Sequence, residues 1–90
     1  MFVKNKDRSM EVKKIIQDEF SWIVKVLRSS KSYFQIKTSI KLFDNFCKKW
    51  FLDEKYHDEK MRYMLRFQNK QWGQEQKLIN KLRNEIILVR

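Results

Sequence analysis

The chain contains almost none of the residues that build tight turns. Its 90 residues include no proline, one glycine (Gly73) and one threonine (Thr38). Sandwiches and barrels need a turn between successive short strands, and glycine and proline supply many of those turns. Apolar residues make up 42% of the sequence, so the chain is not a low-hydrophobicity disordered tail. We therefore expect an all-α fold. Because domains usually contain about 100–150 residues, a chain of this length should form a single domain.

Two stretches of apolar residues at helical spacing predict a helical hairpin, with helices at about 10–28 and about 33–51. Ser9 is a suitable N-cap for the first helix, and Ser32 with Gln35 forms a capping box for the second. The serine-rich segment 29–32 predicts the loop between them. The expected inward faces are Val12, Ile15, Ile16, Phe20, Ile23, Val26 and Leu27 on the first helix, and Ile36, Ile40, Phe43, Cys47 and Trp50 on the second, with Phe46 beside them.

A third, longer helix is predicted at about 54–88, capped by Asp53 or Asp58. Gly73 costs about 1 kcal/mol inside a helix, so a break or kink there is the main alternative. The fold expected is thus a hairpin packed on a long third helix, a three- or four-helix bundle over residues 9–90. Residues 1–8 are predicted to form a flexible N-terminal arm. The expected inward face of the third helix is Met61, Met64, Leu65, Trp72, Ile79, Leu82 and Ile86.

The positive charge of the chain is concentrated on one side of the third helix. The net charge is +10, but 15 of the 21 basic residues are lysines, and the abundance of Phe, Tyr, Met, Ile, Asn and Lys indicates an AT-rich genome. The total charge is therefore weak support for any partner, and its placement matters more. On a helical wheel one sector holds Arg62, Arg66, Lys70, Lys77 and Lys81, and a smaller stripe on the second helix holds Lys37, Lys41 and Lys48, interrupted by Asp44.

This pattern predicts a small binding protein that presents a basic helix face to an anionic macromolecule, either nucleic acid or an acidic protein surface. Tyr56, Tyr63 and Phe67 lie near one edge of the basic sector and are candidates for stacking on bases. The alternative is a solvated face in a lysine-rich proteome, with Tyr63 and Phe67 packed into the core. The sequence alone leaves both interpretations open.

Catalytic and metal-binding patterns are missing from the sequence, so we expect no enzyme activity, no cofactor, no metal and no small-molecule substrate. His57 is the only histidine, and with Asp53 and Asp58 it supplies too few ligands for a metal site. Cys47 lies on the apolar face of the second helix and is expected to be a small buried residue. Glu19 lies within the apolar arc of the first helix, where we expect it at the edge of that arc, either paired with a lysine or extending to water.

The third helix is too long for two shorter helices to cover, which predicts self-association. Its apolar end would need a partner, and a homodimer through the C-terminal helix would bury it. The residues concerned are Leu78, Ile79, Leu82, Ile86, Ile87, Leu88 and Val89. Neither a signal peptide nor an apolar run of about 18–20 residues is present, so we expect no membrane span and a soluble cytoplasmic protein.

One segment has a recognisable outline. It reads Trp22-Ile23, Val26-Leu27, Ser29-Ser30 and Gln35, followed by Lys41-Leu42-Phe43, Phe46 and Lys49-Trp50. This segment resembles small uncharacterised reading frames of tailed phages that infect AT-rich hosts. The resemblance covers core and loop positions, so it carries no site residues. It implies a viral origin, with the host cytoplasm as location, and an alternative role as an accessory protein that inhibits or adapts a host protein complex.

Overall fold

The computed structural model describes the backbone of residues 8–89 and the side chains of residues 8–84. It contains three α-helices: α1 (Met10–Arg28), α2 (Tyr33–Trp50) and α3 (His57–Val89). A single 3₁₀ turn, Glu54–Tyr56, leads into α3. The expectation of an all-α hairpin packed on a long third helix is confirmed. Residues 1–7 of the predicted arm, and the side chains of Ile86 to Val89, lie outside the described residues.

Serine side chains cap the N-termini of both helices of the hairpin, as the sequence predicts. The Ser9 hydroxyl accepts a hydrogen bond from the Val12 backbone N–H at 3.1 Å, and the Ser32 hydroxyl accepts one from Gln35 N–H at 3.2 Å. The Gln35 side chain reaches back and accepts from the Lys31 N–H at 2.6 Å. These bonds satisfy backbone donors that have no partner within the helix. The two caps therefore fix where each helix starts, and with it the length of the intervening loop.

A cluster of aromatic rings joins all three helices. Phe43 of α2 and Phe67 of α3 stack in parallel, with 4.4 Å between ring centroids and 2° between ring planes. Phe20 of α1 meets Tyr63 of α3 edge-on at 4.8 Å. Phe46 contacts Phe20, Phe43 and Tyr63, so each helix supplies at least one ring to the cluster. Each aromatic pair contributes about 0.5–1.5 kcal/mol of stability beyond the burial of its apolar area. These contacts determine which side of α3 packs against the hairpin.

The inward face predicted for α3 is wrong except at Met64, which does pack against the core, and the side chain of Ile86 lies outside the described residues. Met61, Leu65, Trp72, Ile79 and Leu82 are exposed, with Leu65 at 58% and Trp72 at 65%. The helix instead buries Tyr63, Phe67 and Gln74, with Met64 and Leu78 packed at the edge, and we call Tyr63, Phe67, Gln74 and Leu78 the core face. Because α3 carries two apolar faces, periodicity alone cannot say which one packs; the aromatic rings of the hairpin select Tyr63 and Phe67. On α1, Ile15 is likewise exposed rather than inward.

The helix α3 continues through Gly73, so the alternative prediction of a break at that position is wrong. The φ angle of Gly73 is not positive, and a Cβ atom placed there would meet nothing within 4 Å. The Gln74 amide donates to the Ser30 carbonyl at 2.7 Å, which attaches the α1–α2 loop to the middle of α3. Leu78 packs against the core, and Ile79 and Leu82 border a groove with Tyr33 at the start of α2. The longest dimension of the molecule is 68 Å.

Glu19 pairs with a lysine at the edge of the apolar arc, as expected. Its carboxylate accepts from Lys49 Nζ at 2.8 Å and from the Trp50 indole N–H at 2.9 Å. Partial burial pushes the pKa of Glu19 upward, but the two hydrogen bonds and the Lys49 charge outweigh burial and leave that pKa lowered. The contact links α1 to the end of α2.

Replacing Phe67 and Leu65 in turn tests which face of α3 packs. Phe67→Ala is expected to lower the free energy of unfolding by about 3–5 kcal/mol, because it empties a buried site. Leu65→Ala, two positions away and exposed, is expected to change it by no more than about 0.5 kcal/mol. Urea denaturation at low protein concentration measures both. A larger loss at Leu65 than at Phe67 would show that the sequence-based face is the packed one.

Gly73→Ala is expected to raise the free energy of unfolding by about 1 kcal/mol, since alanine is the better helix former and the site has room for a methyl group. Thermal unfolding followed by circular dichroism measures the change. Gly73→Pro is the opposing control and should destabilise by about 3 kcal/mol. A destabilising Gly73→Ala would contradict a continuous α3.

Glu19→Ala is expected to cost about 1 kcal/mol of stability, because it leaves the half-buried Trp50 indole without its acceptor. Glu19→Gln should cost less, since its amide oxygen still accepts from Trp50. The lowered pKa of Glu19 gives a pH signature: its contribution is complete above the unfolded pKa of about 4.3 and is lost as the pH falls through the lower folded value. Unfolding curves from neutral to acid pH, compared with Glu19→Gln, measure this. Parallel pH curves for both proteins would contradict it.

Candidate functional site

Five basic side chains form a row along one side of α3, which we call the basic face: Arg62, Arg66, Lys70, Lys77 and Lys81. All are exposed except Lys70, which is half-buried. From Arg62 to Lys81 the row extends about 28 Å, at a rise of about 1.5 Å per residue. Ion pairs among residues 8–84 involve other basic side chains, namely Arg8, Lys48, Lys49 and Lys55. The charge of the basic face is therefore not neutralised within the described part of the chain.

The N-terminal end of the basic face borders a polar groove between α1 and α3. This groove has a volume of about 540 Å³ and contains Arg62 and Arg66. Five basic and two acidic side chains line it, so its lining carries a net positive charge. The charged lining residues are Arg8, Lys13, Lys55, Arg62, Arg66, Asp58 and Glu59.

Lys13 extends the basic surface onto α1 and was not predicted from the sequence. It lines the groove together with Gln17, across from Arg62 and Arg66. The signal was present, because Lys13 and Gln17 stand four residues apart at the edge of the apolar arc of α1. Periodicity alone does not show which helix lies opposite that edge.

The aromatic residues predicted to stack on bases are not available for stacking. Tyr63 is 7% exposed and Phe67 is 2% exposed, since both belong to the aromatic cluster of the core. Burial raises the pKa of Tyr63; the Glu59 carboxylate adds to this effect, while the nearby arginine charges oppose it. Tyr56 is half-buried, and the Arg8 guanidinium lies 3.6 Å from its ring centroid. Of the two interpretations left open by the sequence, core packing is correct for Tyr63 and Phe67.

Arg8 is packed into the molecule, whereas the sequence placed it in a flexible arm. Its side chain is 8% exposed and lies 3.7 Å from the Glu59 carboxylate. It also donates to the Trp50 carbonyl and covers the rings of Tyr56 and Phe51. A buried guanidinium needs both a counter-charge and acceptors. Glu59 supplies the counter-charge and the Trp50 carbonyl one acceptor, whereas the buried Nε has no hydrogen-bond partner among the described residues. Arg8 therefore fixes the start of the described chain against the α2–α3 connection, and its charge is largely committed there.

The second predicted stripe, Lys37, Lys41 and Lys48, is exposed on α2 but lies apart from the basic face. Lys48 pairs with Asp44 at 3.2 Å, and Lys37 lies 5.7 Å from the Tyr33 ring centroid. Lys48 borders the groove between α2 and α3, whereas Arg62 and Arg66 border the groove between α1 and α3. The structure thus places the two predicted sets on opposite flanks of the bundle.

Reactive side chains do not converge in the described residues. Cys47 is buried, and burial raises the pKa of its thiol to about 11, so little thiolate exists at neutral pH. Among residues 8–84, no three His, Cys, Asp or Glu side chains come together as a metal site would require. Within the described part of the chain, none of the helices contains an apolar stretch that could span a bilayer.

Comparisons with known proteins add no relationship: no family model matches the chain, and no curated protein or solved structure is similar to it.

Proposed function

We propose that this protein binds the phosphate backbone of nucleic acid through the basic face of α3, without catalysis. The observation that supports this most directly is the row of five cations about 28 Å long that has no carboxylate partner among residues 8–84. An exposed helix normally gains a little stability from ion pairs four residues apart, and the basic face has none of these ion pairs among residues 8–84. A binding surface for a polyanion explains why no acid lies on this side of α3 between Arg62 and Lys81; Asp58 and Glu59 precede it.

Backbone contact rather than base recognition fits the chemistry of the surface. Lysine and arginine side chains that meet phosphates release condensed counterions, which supplies affinity without reading sequence. Stacking on single-stranded bases requires exposed rings beside the basic face. Tyr63 and Phe67 are enclosed in the core, and the exposed Trp72 lies on another side of α3. The proposed ligand is therefore a duplex, contacted along its phosphates by α3 and at one end by Lys13 of α1.

Salt titration tests the proposal. Anisotropy of a labelled DNA duplex is expected to show affinity that falls steeply with salt concentration. Arg66→Glu with Lys70→Glu is expected to weaken binding by at least about 1 kcal/mol and to make the logarithmic salt dependence shallower by about two phosphate contacts. Duplexes of unrelated sequence should bind alike.

A charge-matched control separates the basic face from overall charge. Lys14→Glu with Lys25→Glu changes the net charge equally, and both lysines are exposed on α1. This variant should keep near wild-type affinity. Equal weakening by the two double variants, or no duplex binding at low salt, would contradict the proposal. In the second case an acidic protein surface is the remaining class of anionic partner.

A second candidate function is that of a phage-encoded accessory protein that inhibits or adapts a host protein complex. Exposed rings on the hairpin favour it, because Trp22 is 57% exposed and Phe34 is 77% exposed. Apolar anchors of this kind are enriched at protein–protein interfaces. A host protein that is captured from lysate after nuclease treatment, and lost with Trp22→Ala, would favour this candidate over duplex binding.

A further inference from the structure

A second apolar face of α3 is exposed in the described chain. We call it the apolar stripe: Met61, Leu65, Trp72, Ile79 and Leu82. The exposed fractions of these side chains range from 41% for Met61 to 65% for Trp72. Together they leave on the order of 500 Å² of apolar surface per chain, which is at the upper end for a monomeric protein. Such a surface indicates an interface.

The spacing of the stripe is that of a coiled-coil seam. Leu65, Trp72 and Ile79 are seven residues apart, and Met61 and Leu82 take the alternate seam positions. The remaining seam positions hold Gln68 and Glu75. Polar residues at isolated seam positions cost stability but specify how two helices align.

The flanks of the stripe suit contact with an identical, positively charged chain. In the central heptads the positions beside the seam carry no charge: Met64, Asn69, Gln71, Gln76 and Leu78. The centre of the basic face lies roughly 150° around the helix from the stripe, so its cations point away from a helix packed there, except Arg62, which flanks the seam beside Met61. The core face lies roughly 130° from the stripe in the other direction, so most of the hairpin lies away from that helix. The exception is the α1–α2 connection, where Ser32 and Tyr33 share a groove with Ile79 and Leu82.

We propose that two copies of this chain pair through the apolar stripe, with their α3 helices antiparallel. In this alignment Leu65 packs against the partner's Leu82, and Gln68 against the partner's Ile79. Glu75 faces the partner's Trp72, whose indole N–H is a donor for a carboxylate. A parallel pair would instead bring the two Glu75 carboxylates together within an apolar seam, where like charges repel.

The area is close to the minimum for a specific dimer. Two stripes bury on the order of 1,000 Å² in total, near the lower bound for a biological interface. Ile79 and Leu82 also border the groove formed with Ser32 and Tyr33, so a paired helix would cover that groove as well. The basic faces stay exposed on the two outer flanks, so pairing and the proposed duplex binding do not compete. The dimer does not depend on the proposed function.

Sedimentation equilibrium of the full chain tests the pairing. The wild-type protein is expected to show twice the monomer mass, and Trp72→Asp with Leu82→Asp is expected to show the monomer mass with unchanged helical circular dichroism. Leu52→Asp is the matched control, since Leu52 is 82% exposed but lies outside α3, and it should remain dimeric. A monomeric wild type, or an aspartate pair in the stripe that leaves the mass unchanged, would overturn the proposal.

Disulfide formation tests the orientation. Leu65→Cys and Leu82→Cys chains, oxidised separately, should each give little covalent dimer, whereas an equimolar mixture should give a heterodimer joined between the two positions. Cys47 does not compete, because its thiol is buried. Rapid self-linking by Leu65→Cys alone would overturn the antiparallel arrangement. These readouts are independent of salt-dependent duplex binding, so failure of either proposal is recognised separately.

Discussion

The stacked contact between Phe43 of α2 and Phe67 of α3 decides how the remaining faces of the molecule are used. The two rings lie parallel at 4.4 Å, and Tyr63, one turn away, meets the rings of Phe20 and Phe46. Once Phe67 and Tyr63 turn inward, helical geometry places Arg62 and Arg66 at the α1–α3 groove and leaves Leu65 and Trp72 outside. The rotation of α3 about its own axis is therefore set by aromatic packing, and the positions of the charged and apolar surfaces follow from it.

The hairpin was predictable because each of its helices has a single apolar face and a capping serine. Ser9 and Ser32 act as caps, and Ile16, Phe20, Ile36 and Phe43 are buried as their spacing indicates. For α3 the sequence offers two apolar faces of similar weight. The seven-residue repeat of Leu65, Trp72 and Ile79 is the more regular pattern, but regularity does not measure which surface fits the hairpin.

The basic face was predictable from helix periodicity. Arg62, Arg66, Lys70, Lys77 and Lys81 lie on one helix, so their common side follows from their spacing alone. Contacts between elements did not follow from it: Lys13 faces Arg62 across a groove, and Arg8 is held by Tyr56 and Glu59. The predicted stacking role of Tyr63 and Phe67 is wrong because both rings pack in the core, where no base can reach them.

The part of α3 that extends beyond the hairpin has a thermodynamic consequence. Up to Leu78 the helix is held by α1, α2 and the Gln74–Ser30 hydrogen bond. At Ile79 and Leu82, which are 42% and 58% exposed, the hairpin covers the helix only in part, and short helical segments with little packing are marginal in water. Any molecule that docks there adds its binding free energy to the folding of those turns, so their melting temperature becomes a function of concentration. Order at this end of the chain is thus a collective property, whereas order in the hairpin is built into a single molecule.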